Sequence, residues 1–482
     1  MNNAPSPPNW VLVTIASIVS GVLYFFSTGL AGFRPLVWLA PLPVLILAPR
    51  CSWQQTAAFA FVAYLIGGLN IMSYLSHLAP VVIVAGSVLL PSLFFALSVL
   101  AFRAAVLHIE DPLSFTAFPV VWTSYEYLLS LISPHGTAGS IAYTQSDFLS
   151  LIQLSSLTGI WGITFILTFF PAGIAAVWYR RGEEKAIVAQ SAVIILICTA
   201  AMAYGLFRIG GPSTGASVRV GAVAVGPPAR YYQTTDSSEA MHIVDEYARI
   251  AGQLVDDGAM FVVTPEKFVG VTRQYESTVE RVLGEATHQR RALIVAGLNR
   301  VGSEHHRNFA AVISREGKPL TEYDKAFLLP GIESEYTGGK TLVNFEVSDL
   351  IAGLAICKDL DFPSWIRQYG KSGTGILFVP AWDFTSDAWL HSRMAIMRAV
   401  ENDFAMVRSA NQGLLTVCDS RGRVVREASS IDVPEVHYTT DVIPGSGRSF
   451  YSRTGDWFAW INLLLLPVFG FTLWRARKRT EK

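Results

Sequence analysis

Charge is what this 482-residue sequence has least of. Asp, Glu, Lys and Arg make up 15% of it, against 51% hydrophobic residues. That balance is too apolar for an ordinary soluble enzyme. The 37 basic and 37 acidic residues cancel, which removes the electrostatic case for nucleic acid. Cysteine is sparse as well. Cys51, Cys198, Cys357 and Cys418 have no metal-ligand spacing and no disulfide framework. Cys51 and Cys198 lie in or beside apolar segments and read as packing residues. Cys418 closes the strand-like run 414–417 and reads as a buried structural thiol.

What is abundant is long apolar sequence. Roughly twenty apolar residues cross a bilayer. Candidate spans are 10–30, 37–49, 56–77, 81–106, 115–133, 151–178, 186–206 and 457–474. The second is short. A cleaved signal peptide is not expected, because the first segment lacks a basic n-region and a small-residue cleavage site. The pattern divides the chain into a helical membrane bundle over 1–212 with about seven helices, a mixed soluble domain over 217–448, and a last helix with a basic tail over 456–482. Arg50, Arg103, Arg180, Arg181, Lys185 and the cluster from Arg475 to Lys482 fall on one side of such a bundle. That side should be the cytoplasm, and the soluble domain is then extracytoplasmic. Arg34 breaks the pattern. Glu126 is an ionisable group inside an apolar span, so it either serves function or pairs within the bundle. The loop 133–140 has turn composition, and His135 in it reads as structural.

Strands and helices alternate in the soluble part. Strands are expected at 218–225, 260–264, 291–299, 308–314, 351–356, 375–379, 405–410 and 414–418, with helices at 237–256, 277–288 and 387–402. Buried strands between helices imply a layered α/β domain. Asn411-Gln412-Gly413 reads as a hairpin turn. Three strands run into reactive side chains: 261–265 into Glu266, 323–324 into Lys325, and 354–356 into Cys357. A free thiol is mostly protonated near neutrality. Glu266 could remove its proton as general base, and Lys325 with the backbone N–H after Cys357 could stabilise an oxyanion. A structural cysteine and two solvated charges would fit the same residue types.

The surroundings narrow this. Thr264-Pro265-Glu266, Tyr323-Asp324-Lys325 and Ile356-Cys357-Lys358-Asp359, in that order, resemble the Glu-Lys-Cys set of the carbon–nitrogen hydrolase (nitrilase) superfamily. The resemblance implies an α-β-β-α sandwich. Glu333 keeps that superfamily's eight-residue step from the Lys to a supporting Glu; Glu335, followed by Tyr336, is the rival. Within the superfamily the whole chain is similar to the apolipoprotein N-acyltransferases. Residues 151–165 match a family segment closely, and 38–43 more loosely. Residues 391–402, 408–413 and 450–457 resemble the family's stretches after the nucleophile and before the last helix. The implied architecture is a polytopic α-helical membrane bundle of about eight transmembrane helices plus an extracytoplasmic α/β carbon–nitrogen hydrolase domain.

The implied reaction is acyl transfer from a membrane phospholipid, through a Cys357 thioester, to the α-amino group of a lipidated apolipoprotein. The implied place is a bacterial inner membrane, with the catalytic domain on the periplasmic side. No cofactor or metal is needed, and a monomer is expected. Both substrates are lipid-anchored, so a partly dry, membrane-facing site would favour the amine over water. Lys358 and Asp359 depart from the family, which has an aromatic residue and a Glu there. Lys358 would lower the thiol pKa and could bind a phosphate or carboxylate. Trp382 and Asp383 are candidates to line the pocket, as is Glu335. The alternatives are a membrane-bound amidase with the same trio, an N-acyltransferase with another amine acceptor, and a catalytically dead scaffold.

Overall fold

The computed structural model describes residues 8–30, 32–77, 79–211, 215–226, 232–287, 291–302 and 306–480. The sequence-based limits at Met1, Pro212, His288 and Lys482 lie outside them. The chain forms two compact units: Met1–Ile132, Gly139–Phe207 and Asp456–Lys482 make up one, Ser133–Ala138 and Arg208–Gly455 the other.

The first unit is helical. Its main helices are α1 (Trp10–Ser27), α2 (Trp53–Gly68, carried on towards Ser76), α3 (Val81–His108), α4 (Ala117–Ile132), α5 (Ile160–Tyr179) and α6 (Glu184–Gly210). A last helix of the unit covers Trp457–Thr480. Among the described residues, six helices, all but α4, are long and apolar enough to cross a membrane. Expected span 37–49 differs. It is a 3-10 turn (Arg34–Trp38), a six-residue helix (Leu42–Leu47) and a second 3-10 turn (Ala48–Arg50). Pro35, Pro41, Pro43 and Pro49 remove the donors a continuous helix would need. Span 115–133 shortens to the 16 residues of α4. Span 151–178 breaks at Gly159, whose φ of +66° ends a short helix (Ser155–Thr158) and starts α5.

Glu126 on α4 is buried, and its carboxylate is fully occupied. It accepts from Trp122 Nε1 (3.1 Å), Ser140 Oγ (2.7 Å), Thr164 Oγ1 (2.8 Å) and the Ile141 N–H (3.1 Å). The charge therefore clamps α4, α5 and the segment at 140–141 together. Two of the stretches that carried the family resemblance meet within the helical unit. Trp161 Nε1 donates to Asp456 Oδ1 and Trp457 Nε1 to the Leu157 carbonyl, both at 2.8 Å.

The second unit contains two open sheets. The strands are β1 (Val218–Val225), β2 (Phe261–Val263), β3 (Val269–Val271), β4 (Leu293–Arg300), β5 (Arg307–Ile313), β6 (Pro319–Asp324), β7 (Asn344–Val347), β8 (Leu350–Leu354), β9 (Ile376–Trp382), β10 (Ala405–Asn411), β11 (Leu414–Cys418), β12 (Val424–Ser429) and β13 (Glu435–Val442). One sheet runs β13-β1-β2-β4-β5-β6, with β3 also on β4; the other runs β12-β11-β10-β9-β8-β7. Side-chain alternation explains the layers. On β1, Val220, Ala222 and Ala224 enter the core between the sheets. Val223 and Val225 face a second core with Ser237–Asp256 and Arg273–Glu285, the helices on that sheet's other side. Strands buried on both faces read as continuous apolar runs. The helix Ala388–Asn402 lies against β10 and β11 on the opposite sheet, completing an α-β-β-α sandwich. β10 and β11 pair antiparallel across Asn411-Gln412-Gly413, with Gln412 at φ +48°.

Candidate active site

Glu266, Lys325 and Cys357 follow β2, β6 and β8. The first two side chains are in contact. Lys325 is completely buried, and its Nζ donates to Glu266 Oε1 and to Glu333 Oε2, each at 2.8 Å. Burial disfavours the ammonium, but the two carboxylates outweigh it and hold the Lys325 pKa well above its ordinary value. Asn308 on β5 adds a donor to both acids, 2.6 Å from Glu266 Oε1 and 2.8 Å from Glu333 Oε1.

The two glutamates are not equivalent. Glu333 is saturated: Lys267 Nζ (2.8 Å) and Asn308 reach Oε1, while Lys325 and the Leu329 N–H (2.9 Å) reach Oε2. Burial alone would raise its pKa; Lys325 and Lys267 overcome this and bring it down to about 2. Glu266 receives both its donors on Oε1. Among the described residues, no hydrogen bond reaches its Oε2. Glu335, the rival supporting acid, does not reach Lys325. Its side chain is 76% exposed and lies 3.6 Å from His306.

Cys357 begins a single 3-10 turn, Cys357–Asp361, with its backbone at φ +42°. A non-glycine residue there is strained, and the surrounding structure must hold it. Asp359 supplies that hold. Its Oδ1 accepts from the N–H groups of Ala326 (3.0 Å) and Phe327 (2.9 Å), just beyond Lys325. Its Oδ2 accepts from the Ile356 N–H (2.9 Å) and the Tyr323 hydroxyl (2.7 Å). The thiol points to the Trp382 carbonyl, 3.4 Å away. Burial and the Glu266 charge push the thiol pKa well up, with Lys325 and Arg408 opposing.

Three expectations change. Lys358 does not supply the cation that acts on the thiol. Its ammonium turns to His135 Nδ1 (3.0 Å) and Asp361 Oδ2 (3.4 Å), and the thiol pKa is raised rather than lowered. Buried and partnered, it is not an open anion site. Asp383 is committed to an ion pair. It is buried and paired through both oxygens with Arg408, Nη1 to Oδ2 being 3.0 Å. Trp382 is half-buried beside the thiol, its ring 5.1 Å edge-on from Tyr232. Sequence reasoning missed Lys267 and Asn308. Lys267 is adjacent to Glu266 and was visible; Asn308 lies inside a strand and carried no signal.

A family model described as "Apolipoprotein N-acyltransferase N-terminal domain" matches residues 20–173, and one described as "Carbon-nitrogen hydrolase" matches 219–436. A curated apolipoprotein N-acyltransferase of Geobacter metallireducens is 26% identical, over 92% of this chain and 92% of that protein. One from Rickettsia prowazekii is 22% identical, over 96% and 98%. A solved mutant of Nesterenkonia AN1 amidase, from the nitrilase superfamily, aligns at TM-score 0.41 and 19% identity, covering 52% of this chain and 100% of that one. With both models in order on one chain and relatives matched over nine-tenths of their length, this protein belongs to the apolipoprotein N-acyltransferase family.

Proposed function

We propose that this chain is a phospholipid:apolipoprotein N-acyltransferase in which Glu266, Lys325 and Cys357 carry the chemistry and Glu333 supports them. The observation behind this is the asymmetry of the two acids. Lys325 lies between a saturated Glu333 and a Glu266 with one unoccupied oxygen. In the first half-reaction Glu266 takes the Cys357 proton and Sγ attacks the ester carbonyl of a phospholipid. The S–C bond forms, the C–O ester bond breaks, and Glu266 returns the proton to the departing lysophospholipid oxygen. Lys325 Nζ and the N–H of Lys358 stabilise the oxyanion between these steps. In the second half-reaction the α-amine of a diacylglyceryl-cysteine attacks the thioester. The N–C bond forms, the S–C bond breaks, and the amine proton passes through Glu266 to the thiolate.

The same reading assigns 1–212 and 456–482 to the membrane and 217–448 to catalysis on the extracytoplasmic side of a bacterial inner membrane. The test is intact-mass analysis of purified protein after incubation with phospholipid, beside Cys357→Ser and Cys357→Ala. A hydroxylamine-labile adduct of one acyl chain, absent from both variants and discharged by a diacylated lipopeptide, is the expected result. Turnover of short amides with water, and no acyl adduct from any phospholipid, would replace the transferase with an amidase.

A further inference from the structure

A second lysine takes part in the acid–base cluster. Lys267 follows the proposed base directly, is buried, and has its backbone at φ +50°. Its ammonium donates to Glu333 Oε1 at 2.8 Å and faces the rings of Tyr336 (5.1 Å) and Tyr232 (5.9 Å). Two aromatic faces and a carboxylate hold a cation in a place where water is scarce. Lys325, Lys267, Glu266 and Glu333 together are two cations and two anions, so the cluster carries no net charge.

We infer that Lys267 is a positioning residue that keeps this cluster electrically neutral, holding Glu333 on Lys325 so that proton transfer from Cys357 to Glu266 occurs beside a balanced set of charges. The inference rests on the function proposed above and adds to it a residue outside the Glu-Lys-Cys set. Without Lys267 the buried cluster is left with one excess negative charge. A buried excess anion opposes formation of another anion, the thiolate, close by. Glu333, whose pKa stands at about 2 with both lysines in place, would lose one of its two cations. Among the described residues, the charged and titratable groups that face this site are Glu333, Glu266 and Lys325, then Cys357 with the paired Asp383 and Arg408 acting on its thiol, and Tyr232 and Tyr336 beside the ammonium. His306, ring to ring with Tyr336 at 5.4 Å and paired with Glu335, lies one layer further out.

The experiment uses the full-length purified protein and two readouts on Lys267→Gln, Lys267→Arg and Glu333→Gln. The first is the iodoacetamide alkylation rate of Cys357 at pH 8, followed by peptide mass. The second is the pH profile of acyl-adduct formation from phospholipid. Lys267→Gln should slow alkylation about tenfold and move the acylation profile up by about one pH unit. Lys267→Arg, which keeps the charge, should restore both. Glu333→Gln leaves an excess positive charge and should speed alkylation, so the inference stays testable if the Lys267→Gln chain does not accumulate. An unfolded site would expose the thiol and speed its alkylation in Lys267→Gln, the opposite sign. Unchanged alkylation in Lys267→Gln or Glu333→Gln, or activity lost evenly at every pH, would overturn it. If wild type forms no acyl adduct, the transferase reading fails, while the alkylation rates still decide the role of Lys267.

Discussion

Tyr323 and Asp359 are joined by a 2.7 Å hydrogen bond from the phenol to the carboxylate, linking the strand that leads to Lys325 with the turn that begins at Cys357. The proposed nucleophile and the ammonium proposed to stabilise its oxyanion are thus set in register by one buried acid.

Asp359→Asn should disturb that register. An amide cannot accept from the Tyr323 hydroxyl and the N–H groups of Ile356, Ala326 and Phe327 all at once. Acyl-adduct formation should fall by roughly ten- to a hundredfold while the Lys325 pairings persist. Burial raises the Asp359 pKa to about 6, against opposing hydrogen bonds from Ile356, Tyr323 and Phe327. An acid raised in the fold stabilises it below the ordinary carboxylate pKa, and that contribution is lost as pH rises through about 6. Melting curves should therefore show wild type losing more stability between pH 5 and 7.5 than Asp359→Asn does. Equal losses in the two proteins would contradict this.

The two acids bonded to Lys325 should differ in their effect. Glu266→Gln leaves no proton acceptor at the free oxygen and should reduce acyl-adduct formation by about 10³-fold or more. Glu333→Gln keeps that acceptor and weakens only its support, so a smaller loss of about ten- to a hundredfold is expected. Single-turnover acylation of the two variants checks the ranking, and the reverse order would reassign the base.

Thiol reactivity and catalysis should separate in Glu266→Gln. Burial and the Glu266 charge both raise the Cys357 pKa, with Lys325 opposing. Wild-type alkylation should then climb about tenfold per pH unit from pH 7 to 9 without a plateau, because the thiolate fraction is still rising. Glu266→Gln removes the anion, so its alkylation at pH 8 should be faster even though acylation is lost. Iodoacetamide kinetics on the two proteins measure both effects.

Lys358→Met should cost stability more than chemistry. Lys358 and Asp361 are buried side by side at 3.4 Å, and removing the cation takes from Asp361 its nearest balancing charge. The loss should be roughly 3–5 kcal/mol, read by thermal unfolding in detergent. A double change of Lys358→Met with Asp361→Leu should recover much of it. Failure of that recovery would show that the pair is not the source of the loss.

Residue type and order alone determined a good deal of this protein. Apolar length marked the membrane helices because a bilayer admits little else, and continuous apolar strands marked a sheet buried on both sides. Glu266, Lys325 and Cys357 stood out because each follows a strand, where a rigid sheet presents side chains at its ends. β12 and β13 escaped notice, since their exposed polar residues (Arg426, His437, Asp441) lack the buried-strand signature. The break at Gly159 was hidden because hydropathy reports polarity and not backbone dihedrals. Only the tertiary structure could decide between Glu333 and Glu335, which sit two residues apart with the same chemistry. One turns inward to Lys325 and the other outward to His306. The same holds for Lys358 and Asp383, whose charges suggested substrate contacts until His135, Asp361 and Arg408 were found beside them. A charge's role depends on what lies within a few ångströms of it, and those neighbours come from distant parts of the chain.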